Sequence, residues 1–426
     1  MELELRKIKI KDIQFGENTL VDNGILYVNK EQIISLLKED ERVKAVKVDL
    51  ARPGESVRII PVKDVIEPRA KLGGEAFPGV DGAITEVGFG ITYALKGCAV
   101  VTTGPIVGFQ EGIIDMSGPL TEYTPFAHLN NIVIDVEKAE GIPPHEHEEA
   151  VRKAGVRAAH FIAKQALDYS EYETEKLVWD SIGRKIEKYP GLPKVVYVYF
   201  CMSQGLLHDT YFYGKDSKRM IPSLISPLEV MDGAIVSGNC VSPGSKTTTW
   251  HHQNNAVIHE CFKRDGKEIN FIGVILNPLM TTLDDKFRNS ALTPRIAELL
   301  GADGAVISQE GFGNPTTDLM MVCRGLEKKG IKTVIISNED AGVDGKSEPL
   351  PDGTIEADAI ISTGNSNATI HIPRMDKIIG DVTAIERVTG GFVGSIQEDG
   401  SLVIEIHGIM GSHNLQGTGR LSAVTV

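Results

Sequence analysis

The sequence lacks the short motifs that identify several common classes of protein. It has five cysteines but no Cys-x-x-Cys pair, so neither a zinc ribbon nor a thioredoxin-like dithiol is encoded. It contains no GxGxxG or Walker A pattern, and a nucleotide site of either kind is not indicated. No apolar run approaches the roughly 18 residues of a membrane span, and residues 1–12 show no signal-peptide core. An odd number of scattered cysteines is typical of a reducing compartment, so we expect a cytoplasmic protein.

An excess of positive charge is also missing. The 44 basic residues are outnumbered by 58 acidic ones, giving a net charge of −14. Surfaces that bind nucleic acid or anionic membranes need basic patches, so neither partner is expected. The 426 residues are enough for two or three domains, and an apolar content of 42% is ordinary for a globular protein with sizeable cores.

The hydrophobic pattern predicts an α/β fold (α+β overall) in three parts. Residues 1–142 form a β-rich N-terminal domain, because alternating stretches such as residues 3–10 are typical of half-buried strands. Residues 143–191 form a helical connector. In residues 192–426 short apolar runs alternate with helical patterns, which indicates an α/β domain with a mainly parallel sheet. The predicted helices are 30–38, 146–168, 171–188, 222–230, 290–300, 317–329 and 365–370, and a hairpin is predicted around residues 398–400.

Polar loops follow three of the predicted strands of that sheet. These loops are residues 203–209, 238–254 and 309–318. Ligands of parallel sheets bind where the carboxyl ends of the strands open into loops. If the three strands are neighbours, Gln204, His208, Cys240 and Glu310 face one cleft, and the site lies at the strand ends.

The stretch 233–255 brings several reactive side-chain types together. It begins as an apolar run, residues 234–236, which predicts a buried strand, and then presents Asn239 and Cys240. A polar segment follows with hydroxyls, one ammonium and two imidazoles, at Ser242, Ser245, Lys246, Thr247, Thr248, Thr249, His251 and His252. Such a combination next to a thiol predicts a chemical site.

Three interpretations fit Cys240. It is a small buried residue that ends a strand, or a thiolate nucleophile activated by His251 or His252. In the third, its thiol attacks the Asn239 carbonyl to form a thioester, β-elimination breaks the chain, and the resulting dehydroalanine hydrolyses to an N-terminal pyruvoyl group. Gly238 permits the flexible backbone that this reaction needs, and downstream donors can stabilise the oxyanion. The residues alone do not choose between the last two.

Longer stretches spread over the whole chain carry a family resemblance. They are KIKIKDIQFGENT (7–19), LARPGESVRI (50–59), PVKDVIEPR (61–69), VGFQEGIIDMSGP (107–119), SQGLLHDTYFYG (203–214), MDGAIVSGNCVSP (231–243), HHQNNAVI (251–258) and GFGNPTTDLMM (311–321). With these stretches the sequence resembles the proprotein of the pyruvoyl-bearing subunit of component B of the glycine, sarcosine and betaine reductases.

The resemblance implies that the precursor is cut between Asn239 and Cys240. The products are chains 1–239 and 240–426, and the second carries a covalent pyruvoyl cofactor made from Cys240. The amine of a small amino-acid substrate would form a Schiff base with it, so that a selenolate from the selenocysteine-containing subunit of component B cleaves the C–N bond. The carboxymethyl group would pass to selenoprotein A, and component C would release acetyl phosphate.

Candidate roles follow for nine residues. The catalytic set is Cys240 as pyruvoyl precursor, Asn239 at the cleavage site, and His208, His251 and His252 in proton transfer. The substrate-binding set is Lys246, Thr249, Gln204 and Glu310. No metal site is predicted.

The choice of substrate and the class of protein stay open at this point. Some relatives have a cysteine and an acidic residue where this chain has Gly244 and Ser245; if that acid holds a substrate ammonium, its absence weighs against glycine. A quaternary amine cannot form an ordinary imine, so the resemblance favours glycine or sarcosine over a betaine-specific member. Two further classes fit the residues: an unprocessed enzyme that uses Cys240 with a histidine, and a catalytically silent partner.

Overall fold

A computed structural model describes residues 1–204, 210–238 and 241–416. His208, Asn239 and Cys240 lie outside the described residues. The described part is a mixed α/β structure. Its strands are β1 Glu2–Lys9, β2 Asp12–Phe15, β3 Leu20–Asp22, β4 Ile25–Val28, β5 Val43–Ala51, β6 Val57–Val62, β7 Asp64–Ile66, β8 Arg69–Lys71, β9 Gly90–Lys96, β10 Cys98–Thr103, β11 Gly112–Asp115, β12 Asn130–Lys138, β13 Glu173–Val178, β14 Lys194–Cys201, β15 Tyr211–Phe212, β16 Lys215–Asp216, β17 Ser223–Ile225, β18 Ile235–Val236, β19 Asn270–Pro278, β20 Gly304–Ser308, β21 Lys332–Glu339, β22 Ile360–Asn365, β23 Thr369–Ile372, β24 Lys377–Gly380 and β25 Leu402–Glu405.

The helices cover the faces of these sheets. They are α1 Lys30–Leu37, α2 Pro144–Lys164, α3 Ile182–Glu187, α4 Pro227–Met231, α5 Thr249–Gln253, α6 Ala256–Arg264, α7 Leu283–Leu299 and α8 Asn314–Glu327. Short 3-10 turns occupy Pro119–Tyr123, Pro125–His128, Ser217–Arg219, Val382–Arg387 and Ile406–Gly408. None of the helices that the structure describes has the length and apolar character needed to cross a bilayer.

The first part of the chain is β-rich, as the alternating pattern predicts. Its strands form the sheets β13-β1-β9-β8, β5-β12-β10-β7 and β2-β4-β3. Helix α2 packs beneath them and buries Val151, Ala158 and Ile162 at helical spacing. The contact with β10 is so close that a Cβ atom at Gly155 would lie 2.5 Å from Thr102 Cγ2. A glycine is therefore required at this point of the helix.

The second half contains the predicted parallel sheet, in the order β17-β19-β14-β20-β21-β22. Strands β19, β14, β20, β21 and β22 are parallel, and β17 is an antiparallel edge strand. Val196 and Val198 face the core under α7 and α8, whereas Tyr197 and Tyr199 face the opposite core. Counted along the chain, the parallel strands lie in the order 2-1-3-4-5. The direction of winding therefore reverses between β14 and β20, and this is where a parallel sheet opens a crevice for ligands.

Four local predictions are wrong. Residues 222–230 are not one helix, because residues 223–225 form the edge strand β17 and helix α4 begins at Pro227. Residues 171–188 are not one helix, because residues 173–178 form β13 at the edge of the sheet next to β1. Residues 369–372 are β23, whose partner is β25, rather than part of a helix. The apolar run before Asn239 is the short strand β18, and it pairs antiparallel with β15 instead of entering the parallel sheet. Tertiary pairing decides each of these short, ambiguous segments.

The division into 1–142, 143–191 and 192–426 stays a prediction. Strand β24 hydrogen-bonds in parallel register to β6 of the first part. An apolar cluster likewise joins Ile60 and Ile113 to Ile372 and Leu402. The end of the chain thus packs against the β-rich part and brings residues 402–416 close to the candidate site.

Candidate functional site

A cavity of about 580 Å³ lies at the carboxyl edge of the parallel sheet. Gln204 follows β14, Gly311 follows β20, and Asn338 lies at the end of β21; all three line the cavity. Ser242 and Ser245, which follow Cys240 in sequence, line it as well. The cavity therefore occupies the reversal point of the sheet and is bordered by the polar segment that the sequence singles out.

The loop 241–248 is held by the end of the chain. Gly244 donates its N–H to the His407 carbonyl at 2.8 Å, and His413 donates back to the Gly244 carbonyl at 2.7 Å. Asn414 Nδ2 donates to the Lys246 carbonyl at 2.9 Å. At its far end the loop enters α5, where the hydroxyl of Thr248 accepts the N–H of His251. The loop is thus fixed by contacts from a segment more than 150 residues away in sequence.

Lys246 is fully buried, and its ammonium contacts the backbone before Asn239. Its Nζ donates to the carbonyl of Gly238, the residue before Asn239. The hydroxyl of Ser237 donates to the same carbonyl at 3.1 Å. A buried ammonium is costly without compensating charge or hydrogen bonds, so this contact fixes the backbone just upstream of residue 239.

Two fully buried carboxyl groups flank the loop. Asp64 in β7 accepts from Thr249, at 3.0 Å from its N–H and 2.6 Å from its hydroxyl. Burial raises the pKa of Asp64 to about 6, and the charge of Lys246 lowers it only in part. Sequence reasoning missed Asp64; the available signal was a carboxylate inside an apolar strand that lies in one of the resemblance stretches.

Glu310 contacts the loop at Thr247. Its Oε1 accepts the N–H of Thr247 at 2.9 Å, and its Oε2 accepts from Met202 N at 3.1 Å and Thr210 Oγ1 at 3.3 Å. Burial raises the pKa of Glu310 to about 7, against the opposing effect of these donors and of Lys246. Both oxygens are occupied by protein donors. Glu310 as a substrate ligand stays a prediction, and the structure gives it contacts that support the loop.

The paired histidines are buried and neutral. His251 Nδ1 lies 2.9 Å from Thr248 Oγ1, and His252 Nδ1 lies 2.6 Å from the hydroxyl of Tyr199. Burial, with the charge of Lys246, lowers the pKa of His251 to about 3, and burial holds the pKa of His252 well below its usual value. The Nε2 atoms of both lack a hydrogen-bond partner among the described residues. Both rings are therefore neutral, and a role for them in proton transfer stays a prediction.

Gln204 and Thr249, the other two predicted substrate-binding residues, differ in their position relative to the cavity. Gln204 lines the cavity, and its Nε2 donates to the Met280 carbonyl at 2.8 Å and to Asp318 at 3.1 Å. Thr249 is fully buried; its hydroxyl donates to Asp64 and accepts the N–H of Ser237 at 3.0 Å. Of the predicted binding residues that the structure describes, Gln204 is the one that borders the cavity, while binding of substrate by Thr249 stays a prediction.

The cavity also contains a histidine that sequence reasoning missed. His407 borders the cavity, and its Nε2 lies 2.9 Å from Glu405 Oε2. Asp340 lines the same cavity. No motif marks His407, because it reaches the site only through the return of the chain end.

Comparison with known proteins identifies the class of protein to which the chain belongs. A family profile described as glycine/sarcosine/betaine reductase component B subunits matches residues 1–424. The sequence is 51% identical to the glycine reductase complex component B subunits alpha and beta of Acetoanaerobium sticklandii over 429 residues, covering 100% of both chains. It is also 51% identical to the sarcosine reductase complex component B subunit alpha of Peptoclostridium acidaminophilum, covering 99% of both chains.

A third relative is more distant. The betaine reductase complex component B subunit alpha of Peptoclostridium acidaminophilum is 38% identical, with 95% of each chain covered. No solved structure matches. The matches define an amino-acid reductase subunit. The chain belongs to the family of glycine/sarcosine/betaine reductase component B subunits, and it is a component of an oxidoreductase complex, as the resemblance predicts.

Proposed function

We propose that this chain is the pyruvoyl-bearing, substrate-binding subunit of a selenoprotein-dependent reductase for glycine or sarcosine. The proposal is supported by the described residues that precede and follow the Asn239–Cys240 pair in sequence. On one side Gly238 is held by the buried ammonium of Lys246, and on the other Ser242 borders the cavity. The name of one full-length relative, which assigns two subunits to a single chain, supports a cut within the chain.

The proposed maturation uses the chain's own groups and water. The thiol of Cys240 adds to the carbonyl of Asn239, and the peptide C–N bond gives way to a thioester and a free amine. β-Elimination then breaks the Cβ–S bond, leaving a thiocarboxylate on Asn239 and a dehydroalanine at position 240. Addition of water to the tautomeric imine releases ammonia and leaves a ketone. Proton transfer in these steps is assigned to His251 or His252, whose burial keeps the imidazoles neutral and makes them weak bases.

The surrounding residues fit such a group. The ketone would supply an electron-accepting carbonyl to the substrate amine. Ser242 and Ser245 offer hydroxyls at the cavity, and Gln204 offers an amide held in place by Met280 and Asp318. Contacts from residues 407–414 keep the loop 241–248 against the cavity without a covalent link to residue 239. The loop 241–248 would therefore stay at the cavity after the cut.

The reducing nucleophile is proposed to come from partner subunits. The four cysteines that the structure describes, Cys98, Cys201, Cys261 and Cys323, are all buried. Burial raises the pKa of each of these thiols, which disfavours the reactive thiolate. This supports the selenocysteine-containing subunit of component B as the source of the nucleophile, with selenoprotein A and the acetyl-phosphate-forming component C acting later.

The choice of amine rests on the relatives. Identity is 51% to the glycine and sarcosine reductase subunits and 38% to the betaine reductase subunit. This favours glycine or sarcosine. The runner-up function is an unprocessed thiol enzyme in which Cys240 acts with His251 or His252, since both rings are neutral and have an Nε2 without a partner among the described residues.

Reductive trapping tests the proposal. The native protein is treated with borohydride in the presence of isotopically labelled glycine, sarcosine or betaine, and the chains are analysed by mass spectrometry. We expect label from glycine or sarcosine on chain 240–426 and none from betaine. Absence of any labelled chain, together with alkylation of Cys240 by iodoacetamide, would support the unprocessed thiol enzyme instead.

A further inference from the structure

Asp64 and Glu310 contact the same short segment from two different parts of the chain. Asp64 lies in β7 of the β-rich part and binds Thr249, whereas Glu310 follows β20 of the parallel sheet and binds Thr247. Lys246 precedes these two threonines and reaches Gly238. We propose that Asp64 and Glu310 are positioning residues for cleavage between Asn239 and Cys240, acting through Lys246, Thr247 and Thr249. This inference rests on the proposed maturation.

The Asp64 side fixes the chain before the cleavage site. Asp64 accepts the hydroxyl of Thr249 at 2.6 Å, and that hydroxyl accepts the N–H of Ser237 at 3.0 Å. A continuous line of hydrogen bonds therefore runs from β7 to a residue two positions before Asn239. The hydroxyl of Thr249 donates one hydrogen bond and accepts the other. Its bond to Asp64 therefore fixes the orientation in which it accepts from Ser237.

The Glu310 side fixes the chain after the cleavage site. Glu310 accepts the N–H of Thr247 with one oxygen, and the N–H of Met202 and the hydroxyl of Thr210 with the other. The loop is thereby joined to the end of β14, beside Gln204 and the cavity. The two carboxyl groups together hold both sides of the bond that is proposed to break.

Lys246 interacts by charge with both Asp64 and Glu310. Its fully buried ammonium donates to the Gly238 carbonyl, and both Asp64 and Glu310 act on it by charge. Removing either carboxylate leaves the ammonium less compensated and weakens its hold on the peptide. Small displacements of reacting groups cost large factors in rate, because an attack of this kind needs atoms held within about 3–3.5 Å.

The arrangement also makes cleavage depend on folding. Asp64 and Glu310 are 246 positions apart, Asp64 in β7 and Glu310 just after β20 of another sheet, so their contacts with residues 247 and 249 exist only when both parts of the chain have packed together. Cleavage is therefore expected to follow tertiary folding rather than to accompany synthesis.

Isosteric variants test the positioning role. Newly translated chains of Thr249→Val, Thr249→Ser, Asp64→Asn and Glu310→Gln are followed by the rate at which chains 1–239 and 240–426 appear. Val matches the shape of Thr without its hydroxyl, and Ser restores the hydroxyl. We expect Thr249→Val, Asp64→Asn and Glu310→Gln to slow cleavage by about tenfold or more, and Thr249→Ser to remain within about threefold of the unmodified chain.

Asp115→Asn is the matched control, because Asp115 is an equally buried carboxylate whose partner is Arg58, at 2.7 Å. It should cleave within about threefold of the unmodified chain wherever circular dichroism shows it to be folded. If the Asp64 or Asp115 variant fails to fold, the Thr249→Val and Thr249→Ser pair decides for Asp64; if the Glu310 variant fails to fold, Thr210→Val, which removes a donor to Glu310 and should also slow cleavage, takes its place. Equal rates for the Thr249 pair would overturn the positioning role, whereas an unmodified chain that never cleaves would overturn the proposed function itself.

Discussion

Glu67 and Glu310 are both buried glutamates, but they have opposite environments. Glu67 accepts two charged donors, Arg69 at 2.7 Å and Lys96 at 2.8 Å. Burial raises its pKa, but the charges of Lys96 and Arg69 outweigh burial and hold the pKa below the usual value. Glu310 accepts only neutral N–H and O–H groups among the described residues, and burial raises its pKa to about 7.

The difference separates a structural carboxylate from one at a site. A carboxylate paired with two cations remains ionised across the physiological range and serves to neutralise them. A carboxylate surrounded by neutral donors is close to half-protonated at neutral pH, and such groups cluster at functional sites. Glu67 supports the β-rich part of the molecule, whereas Glu310 lies where the parallel sheet, the loop 241–248 and the cavity meet. Asp64 follows the second pattern, since Thr249 is its hydrogen-bonding partner next to that loop.

The largest effect on stability is expected when the structural carboxylate, Glu67, loses one of its charged partners. Arg69→Met leaves the buried carboxylate of Glu67 with one cation fewer, and we expect it to lower the free energy of unfolding by about 3–5 kcal/mol. Denaturant unfolding of the Cys240→Ala chain, which should remain uncut, gives the measurement. A loss as small as that of an ordinary surface ion pair would show that Lys96 suffices to compensate Glu67.

The pH dependence should have opposite sign for the two glutamates. The folded pKa of Glu310 is raised from 4.5 to about 7, so this group contributes stability that is fully present below pH 4.5 and is lost as the pH rises through 7. The unfolding free energy of the uncut Cys240→Ala chain minus that of the same chain carrying Glu310→Gln should fall by on the order of 3 kcal/mol over this window.

Glu67 provides the control for that prediction. Its folded pKa is lowered, so its contribution is present above pH 4.5 and is lost as the pH falls below this value. The corresponding difference for Glu67→Gln should therefore be flat between about pH 5 and pH 8 and decrease in acid. If the two differences in unfolding free energy changed with pH in the same way, the distinction between structural and site carboxylates would be contradicted.

The smallest effect on stability is expected when one neutral hydrogen-bond donor to Glu310 is removed. Thr210→Val removes the hydroxyl that lies 3.3 Å from Glu310 Oε2. We expect a loss of about 1 kcal/mol in unfolding free energy at about pH 8, where Glu310 is ionised, and a smaller loss at about pH 5. Urea unfolding of the Cys240→Ala chain at both pH values checks this. An equal loss in the two buffers would indicate that the hydroxyl contributes by packing alone.

Long periodic or continuous apolar segments could be predicted from the sequence. Helix α2, predicted at 146–168, lies at Pro144–Lys164, and the continuous apolar run of residues 195–200 lies within strand β14, Lys194–Cys201. Both have a hydrophobic pattern strong enough to determine the local structure. Residues 173–178 could not be assigned in the same way, because the partner strand β1 lies more than 160 residues away and makes them a strand.

The candidate site could be predicted only in part, for the same physical reason. The stretch around residue 240 contains unusual side chains close together in sequence, and Gln204 follows a recognisable strand. Asp64 and His407 reach the site through the packing of β7 and of the chain end, which no local pattern encodes. The strand predicted at 234–236 pairs outside the parallel sheet, because a short apolar run does not specify its partner.

Intact-mass measurement of the native protein tests the central claim most directly. We predict two chains, 1–239 and 240–426, with the second blocked to Edman sequencing and reduced in place by borohydride. The Cys240→Ala protein should remain one chain under the same conditions. A single intact native chain with an alkylatable thiol at Cys240 would contradict the account.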